Sequence, residues 1–113
     1  MIIAADGVES RVGRWAGLKT HIDFRDMESC VQYTVSGIDV DPNTIYFHFG
    51  SNAAPEGYLW VFSKGSHSAN IGLGVSGAIG KKKSALQFLE EFMERHYPDA
   101  AILTSIAEVF LAV

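Results

Sequence analysis

The 113-residue sequence predicts an α+β fold: an antiparallel sheet of about four to six strands with one main helix packed on a face, preceded by a short strand-helix. Three observations carry this. Residues 28–36, 44–50, 57–63 and 68–75 are rich in aromatic and branched side chains and follow one another at regular spacing. The stretches between them hold turn residues, Asp41-Pro42-Asn43, Ala53-Ala54-Pro55-Glu56-Gly57 and Lys64-Gly65-Ser66-His67. Connections this short make the strands an antiparallel meander. Residues 83–96 then change to helical period, and 48% hydrophobic residues with a mean hydropathy of +0.12 suffice for one core.

At the start, residues 2–5 read as an apolar strand that ends in Asp6-Gly7. Residues 8–16 read as a short helix with Val8, Val12 and Trp15 on one side and Glu9, Arg11 and Arg14 around the rest. A strand-turn-helix junction aims backbone N–H groups beyond the strand end, and Gly7 has no side chain to hinder close approach. Asp6 can accept hydrogen bonds from sugar or ribityl hydroxyls. The same residues also read as an ordinary Asp-Gly turn with Ser10 as a local cap. Residues 17–27 are a polar, irregular link.

Within 57–63, period two sends Tyr58, Trp60 and Phe62 to one face and Leu59 and Val61 to the other, so the rings form either the wall of an apolar pocket or a packed core. Tyr46 and His48 alternate with Ile45, Phe47 and Phe49, and Asn70, Gly72 and Gly74 with Ala69, Ile71, Leu73 and Val75. Alternate glycines leave a trough suited to a long, thin, apolar ligand, or let another layer approach closely; both readings stand. In the helix, Leu86, Leu89, Phe92 and Met93 share a face, with Glu90, Glu91, Glu94 and Arg95 largely opposite, and Tyr97-Pro98 ends it. Residues 102–113 read as a final strand whose partner is expected in sequence beyond the chain. Its apolar end, Val109-Phe110-Leu111-Ala112-Val113, needs a neighbour.

Charge and composition exclude several classes. A formal net charge of −4 and a pI near 5.4 oppose nucleic-acid binding, which demands clustered Lys and Arg. The basic run Lys81-Lys82-Lys83 reads as a solvated turn opening the helix. No apolar stretch approaches the ~20 residues that cross a bilayer, and no signal peptide is visible. Cys30 stands alone and reads as a small buried hydrophobe. His21, His48, His67 and His96 lie too far apart for a metal-binding spacing, and no metal is expected.

Residues 5–14, Ala-Asp-Gly-x-x-Ser-x-Val-x-Arg, resemble the Asp-Gly motif of the flavin-dependent hydroxylase and reductase superfamily. Pro55, Tyr58, Trp60 and Phe62 match the Pro-x-x-Tyr-x-Trp-x-Phe-Pro signature of the geranylgeranyl reductase family, with Ser63 in place of its last proline. Lys64-Gly65 and residues 69–75 continue the resemblance, which covers residues 2–97 and is nearest in kind to archaeal enzymes that saturate prenyl chains of membrane lipids. It implies a substrate-binding domain of a hydroxylase-like flavoprotein. FAD would meet Asp6, Gly7 and Arg11, with Arg14 near phosphates or in surface ion pairs. A prenylated lipid or pigment would meet Pro55, Tyr58, Trp60 and Phe62. No residue is marked as the proton donor.

The resemblance further implies a division into a flavin-side junction and link, residues 1–27, and a substrate domain, residues 28–113. The Gly-x-Gly-x-x-Gly turn that takes the FAD pyrophosphate is absent from this sequence. The chain therefore reads as a middle piece of a longer enzyme, inactive alone, with the FAD-binding portion as its natural partner and a homodimer through exposed edges as another. The substrate class implies a cytoplasmic protein with peripheral membrane contact. Two alternatives stay open: a quinone-linked flavoprotein dehydrogenase, and a stand-alone module that binds a hydrophobic ligand without chemistry.

Overall fold

Alternation between two faces builds the sheet, and burial follows it residue by residue. The computed structural model describes residues 1–7, 10–21, 23 and 26–111. Its elements are α1 (Val12–Trp15), β1 (Met27–Ser36), β2 (Ile45–Gly50), β3 (Ala54–Ser63), β4 (Ser68–Ser76), α2 (Gly77–Gly80), α3 (Ala85–His96) and β5 (Ala101–Leu111). The strands form one antiparallel sheet in the order β2-β3-β4-β1-β5.

The fold class is as expected, but the strand order corrects the simple meander. Only β2, β3 and β4 run as one; β1 lies beyond β4 and does not pair with β2. The reason is the 37–44 connection, which passes the turn between β3 and β4. There the amides of Ile38 and Val40 donate to the carbonyls of His67 (3.4 Å) and Ser66 (3.1 Å), and both side chains are buried. The partner of β5 also differs from expectation. It is β1, whose second edge is free because β2 was carried to the far side of the sheet.

One face of the sheet carries the core. Leu59, Val61, Ile71, Leu73, Val75 and Val35 are fully buried there, each stabilising the fold by about 1.5–3 kcal/mol relative to an exposed side chain. The helix α3 packs on β1 and β4 through Ala85, Phe88, Leu89, Phe92 and Met93. Leu86, expected on that face, is 42% exposed, and Phe88 takes its place one helical turn before Phe92. A capping box starts the helix: the Ser84 hydroxyl accepts from the Gln87 amide (3.2 Å), and the Gln87 side chain accepts from the Ser84 amide (3.0 Å). In the turn before it, Lys83 pairs with Glu91 and lies over the Phe88 ring.

The N-terminal expectations are met only in part. Residues 2–5 form no strand, and Ile2 and Ile3 are exposed, since no strand among the described residues lies beside them to share hydrogen bonds. The helix is shorter than 8–16; Val8 and Glu9 lie outside the described residues, as do Ile22, Phe24, Arg25, Ala112 and Val113. No residue of α1 is buried, and Trp15 faces solvent rather than a core.

Strand β3 opens irregularly. Glu56 adopts φ 53°, and Gly57 presses so closely on β4 that an added Cβ would lie 1.9 Å from the Gly74 carbonyl oxygen. Backbone cannot yield there as a flexible side chain would. Gly57→Ala is therefore expected to destabilise the chain by about 1–3 kcal/mol, seen as a lower urea midpoint at unchanged slope.

Candidate functional site

The period-two pattern of β3 turns Tyr58, Trp60 and Phe62 away from α3, to the face that no helix covers, while β2 adds Ile45, Phe47 and Phe49 to the same face. The rings touch. Phe47 meets Tyr58 and Phe62 edge-on, each at 5.8 Å between centroids. Tyr58 and Trp60 lie 5.6 Å apart, and Trp60 and Phe62 stack at 6.1 Å. All are within the range where aromatic pairs attract. Phe47 and Phe49 are nevertheless 50% and 72% exposed, so this is an open strip of rings and not a second core. Pro55 is half-buried at the bent start of β3, three positions before Tyr58.

Register then explains the glycines. Phe47, Trp60, Gly72, Gln32 and Ile106 stand in one row across all five strands. The indole of Trp60 lies over Gly72, where a Cβ would come within 2.5 Å of its Cζ2. Its Nε1 reaches across β4 to donate to Gln32 Oε1 on β1, at 3.0 Å. In the adjoining row, a Cβ on Gly74 would meet the Cys30 sulfur at 2.8 Å. The reading in which another layer approaches the alternate glycines is not met. Side chains from neighbouring strands, not another layer, fill the trough, and beside the indole remains a hollow of about 100 Å³ lined by Cys30, Val31, Gln32, Trp60, Ile106 and Glu108.

Cys30 is nearly buried at this hollow, as expected of a small hydrophobe. Burial, with the Glu28 and Glu108 carboxylates adding to it, pushes its thiol up to about 11. A larger cleft of about 270 Å³ opens at Asp39, Val40, Asp41, Tyr46 and Tyr97, but Tyr46 stands in register with the buried Val61, on the face of the sheet opposite the rings. Among the described residues no cluster could hold a metal ion.

At the N-terminal junction, Asp6 organises the turn. Its Oδ1 accepts from the Ser10 hydroxyl (2.7 Å), and its Oδ2 accepts from the amides of Arg11 (2.9 Å) and Val12 (3.2 Å). The Ser10 bond chiefly, with the Val12 amide, holds the Asp6 carboxyl below the usual carboxylate range. The Ser10 hydroxyl in turn accepts from the Gly13 amide, the local cap read from sequence. Gly7 has φ 75°, and nothing lies within 4 Å of where its Cβ would be. Arg11 is exposed. The described hydrogen bonds and ring contacts join Asp6 to its own turn and the aromatics to one another, and none links the two groups.

The sequence profile of the geranylgeranyl reductase catalytic domain matches residues 26–112, which includes the whole sheet and α3. The chain belongs to the geranylgeranyl reductase family. It is 44% identical over 107 residues to digeranylgeranylglycerophospholipid reductase 1 of Methanococcoides burtonii, covering 95% of this chain and 26% of that protein. It is 53% identical over 94 residues to digeranylgeranylglycerophospholipid reductase 2 of Methanothermobacter thermautotrophicus, covering 83% of this chain and 24% of the relative. The chain thus spans about a quarter of the length of these curated relatives. The crystal structure of a geranylgeranyl bacteriochlorophyll reductase-like protein from Thermoplasma acidophilum superposes with a TM-score of 0.84 at 38% identity, covering 98% of this chain and 29% of that one. The flavin-dependent brominase Bmp2, as a triple mutant, shares the fold alone, with a TM-score of 0.63 at 12% identity over 93% of this chain and 30% of its own.

Gln32 was invisible to sequence reasoning as a site residue. A lone glutamine in a strand gains meaning only from Trp60, 28 positions away. The available signal was alternation in β1, which puts Cys30, Gln32 and Thr34 on the glycine face.

Two outcomes are expected. Asp6→Ala should speed hydrogen exchange at the Arg11 and Val12 amides while leaving the global unfolding midpoint unchanged, because α1 contributes no buried residue. For Cys30, alkylation by iodoacetamide should climb with pH toward about 11 and be slow at pH 8, where only about one thiol in a thousand is ionised. The raised thiol also carries stability that is complete below its ordinary value of 9.0 and is lost as pH rises through about 11.

Proposed function

We propose that this chain is the substrate-facing part of a flavin-dependent oxidoreductase that saturates carbon–carbon double bonds in geranylgeranyl chains of lipids or pigments. The observation that carries the reading is the uncovered strip of Phe47, Phe49, Tyr58, Trp60 and Phe62, in a chain whose family and relatives are reductases of such chains. An isolated alkene offers no carbonyl to polarise, so holding the chain in line and excluding water is the help a protein surface can give. A row of rings does both, since it presents large apolar area with little side-chain entropy to lose.

FAD is the proposed cofactor, and in its reduced form, when bound, it would supply the hydride that, with a proton, saturates the bond, returning to the oxidised flavin. Residues 1–27 form the flavin-side junction in this reading, and residues 28–113 the substrate domain. Asp6, Gly7 and Arg11 would hold the cofactor. The open space at Gly7 and the fixed Asp6 carboxylate fit a flat polar group approaching that turn. Pro55, Tyr58, Trp60 and Phe62 would hold the prenyl chain, Tyr58 offering its hydroxyl to a headgroup or water. The reading takes the enzyme to be cytoplasmic, with a lipid substrate bringing it into peripheral contact with a membrane.

The test is the native protein, captured from its source cells with an antibody against this chain and given geranylgeranyl lipid with dithionite as reductant. A yellow protein that adds dihydrogen to the lipid, read by mass spectrometry, is the expected result. In that protein Trp60→Ala should lower turnover at least about tenfold, a loss on the order of the 1.4 kcal/mol per decade that removed contact area costs. A colourless 12.3 kDa protein without lipid reduction would overturn the reading.

A further inference from the structure

We propose that Gln32 is a positioning residue: by holding the Trp60 indole flat across Gly72 it shapes the hollow beside Ile106 and Glu108 into a seat for the far end of a long, methyl-branched apolar chain. The inference rests on the apolar-chain reading above and adds selection by chain length to it. The hollow measures about 100 Å³, well under the ~300 Å³ at which pockets begin to enclose whole small molecules. Only an end can sit there, while the rest of the chain lies along the rings of β2 and β3. The strip by itself lets a chain slide, because its contacts are all apolar and undirected. The hollow interrupts it, and its wall toward the strip is the indole.

That wall has one directed restraint, the 3.0 Å bond from Trp60 Nε1 to Gln32 Oε1. Gly72 lets the ring lie down but does not keep it down. Without the acceptor, the half-buried indole keeps its stacking on Phe62 and its tilted contact with Tyr58 and is free to lift from β4. Gln32→Met removes the acceptor while keeping length and apolar fill. Gln32→Glu keeps an oxygen where Nε1 donates.

The experiment uses the 113-residue chain with Trp15→Phe, since Trp15 is 80% exposed and its removal leaves Trp60 as the sole indole. Fluorescence anisotropy reads the freedom of the ring, and titration with geranylgeraniol and with the much shorter geraniol reads length selection. Gln32→Met is expected to lower the anisotropy and to weaken geranylgeraniol about three- to tenfold, the worth of one hydrogen bond, with geraniol unchanged. Gln32→Glu should restore the anisotropy. Equal weakening of both alcohols, or an unchanged anisotropy in Gln32→Met, would overturn the positioning role. Binding of neither alcohol by the parent chain would overturn the seat and its length selection, a failure confined to the variants would sink only the role of Gln32, and the apolar-chain reading is decided separately by reduction of geranylgeranyl lipid in the native protein.

Discussion

The Trp60 indole lies over a strand that has no side chain beneath it, and the character of the open face follows from that contact. A Cβ at position 72 would come within 2.5 Å of the ring, so any larger residue there would push the indole off β4. Lying flat, it spans from β3 to Gln32 and turns three adjacent strands into one continuous surface. Its hydrogen bond adds only about 0.5–1.5 kcal/mol to stability, small beside the fully buried Leu59, Ile71, Leu73 and Leu89 on the other side. The contact therefore matters for the shape of the face far more than for the survival of the fold.

That division of labour shows in the overall shape. A radius of gyration of 16.0 Å exceeds the ~13 Å of a compact chain of this length, and the shortest extent is 21 Å. The molecule is a slab in which α3 covers one side of the sheet and leaves the rings on the other in the open. Apart from Ala54 at the irregular start of β3 and Cys30 beside the indole, the buried side chains of β1, β3 and β4 sit at odd positions, and the same alternation turns the even positions to the other face. A globular protein rarely leaves so many adjoining rings on an unpartnered face unless something apolar covers them in use.

Much of this was legible in the sequence because its signals are local. Strand positions follow from period two, the main helix from the change to helical period at residues 83–96, and the aromatic strip from Tyr58, Trp60 and Phe62 alone. Strand order was not legible, since adjacency was decided by where Ile38 and Val40 find partners, and their hydrogen bonds run to the turn between β3 and β4. Leu86 failed for a related reason. A helical stripe drawn through Leu86 or through Phe88 is equally apolar, and only the position of β1 and β4 chooses between them. Gln32 could not be read at all until β4 stood between it and Trp60.

The N-terminal junction obeys a different physics from the sheet. A helix of four residues is too short to hold itself, and α1 has no buried face to hold it instead. Its conformation rests on the hydrogen bonds that Asp6 and Ser10 make to the first turn. The Asp6 carboxylate thus spends both oxygens on its own chain, one on a hydroxyl and the other on two amides. What the turn leaves unobstructed is the backbone of Gly7, at a φ that other residues rarely adopt and with empty space where a side chain would be. Any group that docks at this junction meets that backbone first, so the aspartate acts there by fixing the turn and the glycine by yielding room.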